Sequence, residues 1–310
     1  MRYGFGVDIG GTTIKIGLFS VDGDLMEKWE IPTNKTDNGK YILTEIADFI
    51  NRTIETKGIE KSDVMGVGLG VPGPVNKNGF VSVCVNLGWN SLNVEKEFHE
   101  ISGLKVKVGN DANVAALGEM WQGAGKGYQD VLMVTLGTGV GGGCVLNGKI
   151  VSGIHGAGGE IGHMPVKDDE PIACNCGNHG CLEQYVSATG IVNQAKKVLD
   201  LEDRVSSLRN YSSLEAKNIY DEAKNGDVIA NEIVDSTCKI LAKALAQVCS
   251  VIDPEIIVIG GGVSKAGDIL TSRITQSFKK YVFNACASTP IVLAKLENDA
   301  GMYGCVKSLF

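Results

Sequence analysis

Three cysteines and a histidine near the middle of the chain have the spacing of a metal site. Cys174-Asn175-Cys176-Gly177-Asn178-His179-Gly180-Cys181 gives C-x-C-x₄-C, and His163 stands eleven residues before Cys174. Three thiolates and one imidazole form a closed tetrahedral set that suits zinc and leaves no open position for catalysis, so a structural ion is expected. Gly177 and Gly180 allow the tight turn that brings the third thiolate round. A disulfide or unrelated thiols is the plainer alternative, and His179, inside the knuckle, competes with His163 for the fourth place. The other six cysteines, Cys84, Cys144, Cys238, Cys249, Cys286 and Cys305, stand singly in apolar runs and read as small core side chains in a reducing compartment.

Three glycine-rich turns could hold an anion. They are Asp8-Ile9-Gly10-Gly11-Thr12-Thr13, Leu136-Gly137-Thr138-Gly139-Val140-Gly141-Gly142-Gly143 and Gly260-Gly261-Gly262-Val263-Ser264. Each follows an apolar strand-like run, where glycine lets backbone N–H groups converge on a phosphate and hydroxyls add donors. The third leads towards a helix, which suits an anion near a helix N-terminus. Two similar-looking segments carry no such chemistry. Gly68-Leu69-Gly70-Val71-Pro72-Gly73 matches G-x-G-x-x-G, but another strand-like run follows it instead of a helix, so the dinucleotide reading has no physical basis. Gly123-Ala124-Gly125-Lys126 lacks both the upstream glycine and the Ser or Thr of a P-loop.

The elements that must position these loops alternate strand and helix. Tyr3–Ile9, Ile14–Ser20 and Leu25–Ile31 read as strands, with Asp22-Gly23 as a hairpin signal. Tyr41–Thr56 has helical spacing, and Val64–Val71 is a buried strand. The pattern restarts about 125 residues later, with Val131–Leu136, a Gly/Thr turn, Gly141–Leu146 and Asn147-Gly148. Two related α/β halves are therefore expected. Beyond the cysteine-rich stretch come helical patterns at Ala188–Leu199, Val228–Val251 and Gly267–Tyr281, strands Glu255–Ile259 and Pro290–Leu296, and a last helix Ala300–Leu309.

Composition excludes several classes. The 310 residues carry a net charge of −7, with 41 glycines and no basic patch, which argues against a nucleic-acid partner. No apolar run reaches the ~20 residues of a membrane span, and no signal-peptide pattern opens the chain, so a cytoplasmic protein without membrane contact is expected.

Taken in order, the motifs are specific. Asp8–Lys15, Gly70-Val71-Pro72-Gly73-Pro74, Asn110-Asp111-Ala112-Asn113, the second glycine loop, and Gly159-Glu160-Ile161-Gly162-His163 followed by the cysteine knuckle and Leu182-Glu183 resemble the ROK sugar kinases. Within that family the resemblance is to the bacterial ATP-dependent glucokinases, and it covers essentially the whole chain. It implies an α/β, actin-like ATPase (ribonuclease H-like) fold, with two α/β domains and a cleft between them. The domains expected are 1–112 plus 299–310 and a larger 113–298, the latter carrying a zinc-binding loop at 163–181. It further implies that Asp8, Gly10, Gly11, Thr12, Thr13, Lys15, Thr138, Gly139, Gly261 and Gly262 hold ATP, with Mg²⁺ among the phosphates near Asp8. Gly73, Asn110, Asp111, Glu160, His163 and Glu183 would hold the sugar, whose hydroxyls each donate and accept.

Asp111 is the implied general base for phosphoryl transfer to the sugar 6-hydroxyl. On its pattern alone Asp111 is better suited to be the N-cap of a helix over Ala112–Trp121, and it is the resemblance that makes it the base. Glucose is the expected hexose. Fructose, mannose or an N-acetylhexosamine would use the same polar groups, and a non-catalytic sugar-responsive regulator is the alternative from another class. Members of the family are often homodimers, and a dimer is expected here. Loss of the metal is expected to raise the sugar KM, through His163, and to leave the ATP phosphate loops largely intact.

Overall fold

The computed structural model describes residues 2–310. The chain runs through strands β1 (Tyr3–Ile9), β2 (Thr13–Ser20) and β3 (Leu25–Pro32), a single turn α1 (Thr36–Gly39), helix α2 (Ile42–Thr56) and β4 (Val64–Val71). A hairpin of β5 (Phe80–Cys84) and β6 (Trp89–Asn93) leads to α3 (Val94–Ser102), β7 (Val106–Asn110) and α4 (Asp111–Gln122). Then follow β8 (Val131–Leu136), β9 (Val140–Leu146), the short β10 (Lys149–Ile150), α5 (Glu183–Val186), α6 (Ala188–Leu201), α7 (Ala216–Lys224) and α8 (Val228–Ile252). The chain closes with β11 (Ile256–Gly260), α9 (Asp268–Phe278), β12 (Ile291–Leu293) and α10 (Ala300–Lys307).

The expected internal repeat is present as topology. One five-stranded sheet has the order β3-β2-β1-β4-β7, the other β10-β9-β8-β11-β12. In each, an antiparallel meander supplies three strands and two parallel strands extend its inner edge. This α/β arrangement is that of the actin-like ATPases. Its buried parallel strands explain the near-continuous apolar runs at Val64–Val71 and Ile256–Gly260.

Contacts divide the chain into two compact units. Residues up to Gln129, with Gly143–Gly159 and Lys295–Phe310, form the first; Asp130–Gly142 and Glu160–Ala294 form the second. The expected boundary at 112/113 instead falls inside α4. That helix belongs wholly to the first unit because it packs on α10, backbone against backbone. A Cβ at Gly304 would lie 1.6 Å from the Val114 carbonyl oxygen, and one at Gly118 would lie 2.1 Å from that of Ala300. The first unit's core joins Phe5, Val7, Ile14 and Ile16 to Ile42, Ile46 and Ile50 of α2 and to Phe98. The second unit's core joins Leu132, Val134, Ile257 and Ile259 to α6, α7, α8 and α9.

The last strand is shorter than the sequence pattern suggests, ending at Leu293 rather than Leu296. The fully buried Glu119 explains why, since its carboxylate accepts the backbone N–H groups of Lys295 and Leu296, at 3.0 and 2.7 Å, and that of Ala124 at 2.7 Å. Those N–H groups are thereby satisfied outside the sheet.

Candidate active site

In the first unit, β1, β4 and β7 run parallel and in register, with Asp8 opposite Gly70 and Val71 opposite Asn110. Their carboxyl ends bring the Asp8, Gly70–Gly73 and Asn110–Asp111 motifs to one edge, where open α/β sheets bind ligands. The first glycine turn closes there. Gly10 N–H donates to the Thr13 carbonyl at 3.0 Å, and Thr33 braces the turn through its hydroxyl to Gly10 O at 2.7 Å and its N–H to Thr12 O at 2.9 Å. Thr12 and Thr13 are exposed, whereas the Lys15 ammonium donates to Asn298 O at 2.8 Å.

Asp8 is partly buried; its backbone belongs to the sheet, opposite Lys15 and Gly70, and its carboxylate stands free of protein N–H donors among the described residues. Burial, then the negative charge of Asp111, push its pKa up to about 6, against the pull of Lys15. A carboxylate so placed, without a donor, is fit to meet a cation.

The residue that caps α4 is Asn110, not Asp111. Asn110 Oδ1 accepts the Asn113 N–H at 3.1 Å, and its Nδ2 donates to Gly73 O at 3.1 Å and faces the neighbouring Asp111 carboxylate. Asp111 is the first helical residue, with its Oδ1 accepting the Ala112 N–H at 2.8 Å. Its side chain remains open to solvent, as a group that meets a substrate hydroxyl must. The protein crowded round it nonetheless raises its pKa by burial, against the downward pull of that N–H.

In the second unit, β8 and β11 are parallel neighbours, and the second and third glycine loops leave their adjacent carboxyl ends. Gly261, at φ 82°, lies against Leu136, where a Cβ would be 2.5 Å from the Leu136 carbonyl oxygen. A Cβ at Gly139 would be 2.2 Å from Glu183 Oε2. Gly137 and Gly262 differ, since a Cβ on either would meet nothing within 4 Å. Beside the third loop lies a cavity of about 570 Å³, lined by Gly262, Val263, Ala266, Val192, Tyr220 and Lys265 among others. Its apolar walls suit a flat base.

The metal candidates converge. The ligand atoms of His163, Cys174, Cys176 and Cys181 all lie within 4.8 Å of one another. Cys176 Sγ is 3.6 Å from Cys181 Sγ, and Cys174 Sγ is 3.8 Å from His163 Nδ1. A tetrahedral site with Zn–S near 2.3 Å requires ligand separations of about 3.6–3.8 Å, so the cluster fits such an ion. The thiols are free. His179 is not part of the cluster, for its Nδ1 faces the Glu170 carbonyl at 2.8 Å. Glu183 follows the knuckle on α5, with Oε1 3.8 Å from Cys174 Sγ and Oε2 accepting the Val140 N–H at 2.8 Å.

The family model described as "ROK family" matches residues 4–308. The chain belongs to the ROK family. It is 44% identical to a glucokinase of Halalkalibacterium halodurans over 98% of this chain and 93% of that protein. To a glucokinase of Thermotoga maritima it is 37% identical, over 96% and 94%. Among solved structures, a ROK family glucokinase from Streptomyces griseus in complex with glucose and AMPPNP matches with a TM-score of 0.75 and 31% identity, over 99% of this chain and 98% of that one.

Set beside the residues that ROK resemblance implies, the structure gathers Asp8, Gly10–Thr13, Lys15, Gly73, Asn110 and Asp111 within the first unit. Thr138, Gly139, Glu183, Gly261 and Gly262 gather within the second, with the metal cluster. Glu160 sits at the head of a 3₁₀ turn, Ile161–His163, that places His163. Sequence reading missed Thr33, because a lone Thr at a strand end gives no signal, and Glu119, whose partners lie far along the chain.

The glycines make unequal tests of nucleotide binding. Gly139→Val and Gly261→Val clash with Glu183 and with Leu136, so both should lower Tm as well as function. At Gly262 a Cβ meets no protein atom within 4 Å, and the position borders the cavity, so Gly262→Val places its side chain in open space there. It should weaken ATP binding by roughly 10-fold or more, with an unchanged Tm and unchanged glucose affinity. Calorimetric titration with each ligand checks this, and equal losses of both would show that Gly262 is only a turn.

Proposed function

We propose that this ROK protein is an ATP-dependent glucokinase, transferring the γ-phosphoryl group of ATP to the 6-hydroxyl of glucose. The observation that carries the reading is Asp111: accessible, at the first position of α4, with its pKa raised and the capping duty taken by Asn110. The near-full-length likeness to glucokinases supports it and favours glucose over fructose, mannose or an N-acetylhexosamine.

In this mechanism Asp111 Oδ accepts the proton of the sugar 6-hydroxyl. As that oxygen bonds to the γ-phosphorus, the bond to the β-phosphate oxygen breaks, and ADP leaves with the electron pair. Gly73, Asn110, Glu160, His163 and Glu183 are the proposed sugar-orienting residues. Gly10–Thr13, Lys15, Thr138, Gly139, Gly261 and Gly262 are the proposed ATP set. Asp8 would hold Mg²⁺, which neutralises charge on the phosphates. His163, Cys174, Cys176 and Cys181 would hold a structural Zn²⁺.

Because Nδ1 of His163 faces the cysteines, Nε2 is the nitrogen left to orient a hydroxyl. The reading includes a cytosolic homodimer. Steady-state kinetics with ATP and Mg²⁺ over glucose, mannose, fructose, N-acetylglucosamine and N-acetylmannosamine test it. The highest kcat/KM is expected for glucose, and a higher value for any other sugar reassigns the substrate.

A further inference from the structure

We propose that Glu183 is a positioning residue through which the metal knuckle sets the shape of the second glycine loop, so that losing the metal loosens nucleotide binding as well as sugar binding. The loop Gly137–Val140 is held at three points, all from the segment that the knuckle organises. Glu183 Oε2 accepts the Val140 N–H at 2.8 Å and occupies the space where a Gly139 Cβ would stand. Ala188 N–H donates to Gly137 O at 2.8 Å, just beyond the end of α5. Gly162, next to His163, lies so close that a Cβ there would be 2.2 Å from the Val140 carbonyl oxygen.

The knuckle in turn fixes α5. Leu182 N–H donates to Met164 O at 2.8 Å, Val166 N–H donates to Gly180 O at 2.8 Å, and Cys174 Sγ lies 3.8 Å from the other oxygen of Glu183. One carboxylate thus spans from a metal-ligand thiol to a phosphate-loop amide. This reverses the expectation drawn from the sequence, that metal loss would leave the phosphate loops intact. A side chain fixed at both ends needs little further ordering when the nucleotide arrives, whereas a loosened loop must be ordered at the cost of affinity.

The inference rests on the reading that Gly137–Gly139 meets the nucleotide phosphates, and the test separates the two. Amide hydrogen exchange of the metal-loaded wild type, the chelator-stripped wild type, Cys176→Ser, Glu183→Ala and Glu183→Gln is followed without nucleotide, in peptides covering 136–143 and, as a control, β11. Titration with a non-hydrolysable ATP analogue follows, without sugar. Metal removal, Cys176→Ser and Glu183→Ala should each speed exchange in 136–143 while β11 stays protected. Each should also weaken analogue binding by at least about 10-fold, the loss expected for a charge-assisted hydrogen bond. Glu183→Gln keeps an acceptor oxygen and should stay within about 3-fold of wild type.

Unchanged exchange in 136–143 on metal removal overturns the proposal. So does exchange that rises equally in β11, since the metal would then hold the whole unit. Faster exchange with unchanged analogue affinity leaves the link from metal to loop standing but overturns its consequence for the nucleotide, and with it the phosphate-loop reading.

Discussion

Asp111→Asn should lower kcat by roughly 10²–10⁴-fold, the usual contribution of a positioned general base. The substitution keeps size and an acceptor oxygen for the Ala112 N–H, so the helix start should survive. The cap itself is Asn110 and is untouched. Removing the charge at the first turn of α4 costs on the order of 0.3–1 kcal/mol through the helix dipole, and this is offset by release from burial. Glucose affinity, measured by titration, should therefore change little while turnover collapses. A second consequence follows at Asp8, whose pKa is raised partly by the Asp111 charge and should fall in the variant. Near-normal turnover would reduce Asp111 to a helix-start residue and remove the base from the mechanism.

Asp8→Asn should separate stability from activity. Folding raises the pKa of Asp8 from 3.8 to about 6, so the native state binds this proton more tightly than the unfolded chain does. Its stabilising contribution is therefore greatest below pH 3.8 and is lost as pH rises through about 6. At pH 7 the ionised, partly buried carboxylate disfavours the native state by about 1–3 kcal/mol. Asparagine removes that cost, and Tm at pH 7 in metal-free buffer should rise by a few degrees, while at pH 4 the gain should nearly vanish. Phosphoryl transfer should fall on the order of 10²-fold or more, because the Mg²⁺ proposed to sit among the phosphates would lose its carboxylate. For the same reason wild-type kcat/KM should decline as pH falls through about 6 rather than about 4. A variant no more stable than wild type at pH 7 would contradict the assigned environment of Asp8.

Much of this was legible in the sequence because the signals are local. Turn glycines after apolar runs marked all three loops, and the two similar halves returned as two sheets of matching strand order. The cysteine spacing marked a cluster that the fold closes with His163. What stayed hidden depends on distant partners. Helix α3 shows only Val94 and Phe98 as large buried apolar residues, and α7 only Ile219 and Tyr220, too few for a helical period to stand out. The unit boundary was misplaced because glycine-mediated packing of α4 on α10 joins residues far apart in sequence. Glu183 read as a sugar ligand on its motif, and only the fold reveals its bond to Val140. Asn110 took the cap that Asp111 also suited, a choice decided by one residue of helix register.

The central claim is that this chain moves the γ-phosphoryl group of ATP onto the 6-hydroxyl of glucose. Phosphorus NMR of the protein with ATP, Mg²⁺ and glucose reads that transfer directly, with 6-deoxyglucose as the matched sugar lacking the acceptor. Glucose 6-phosphate and ADP should appear in equal amounts, and 6-deoxyglucose should yield no sugar phosphate. Release of inorganic phosphate alone, or glucose binding with no phosphate ester formed, would contradict the account and leave a sugar-binding regulator in its place.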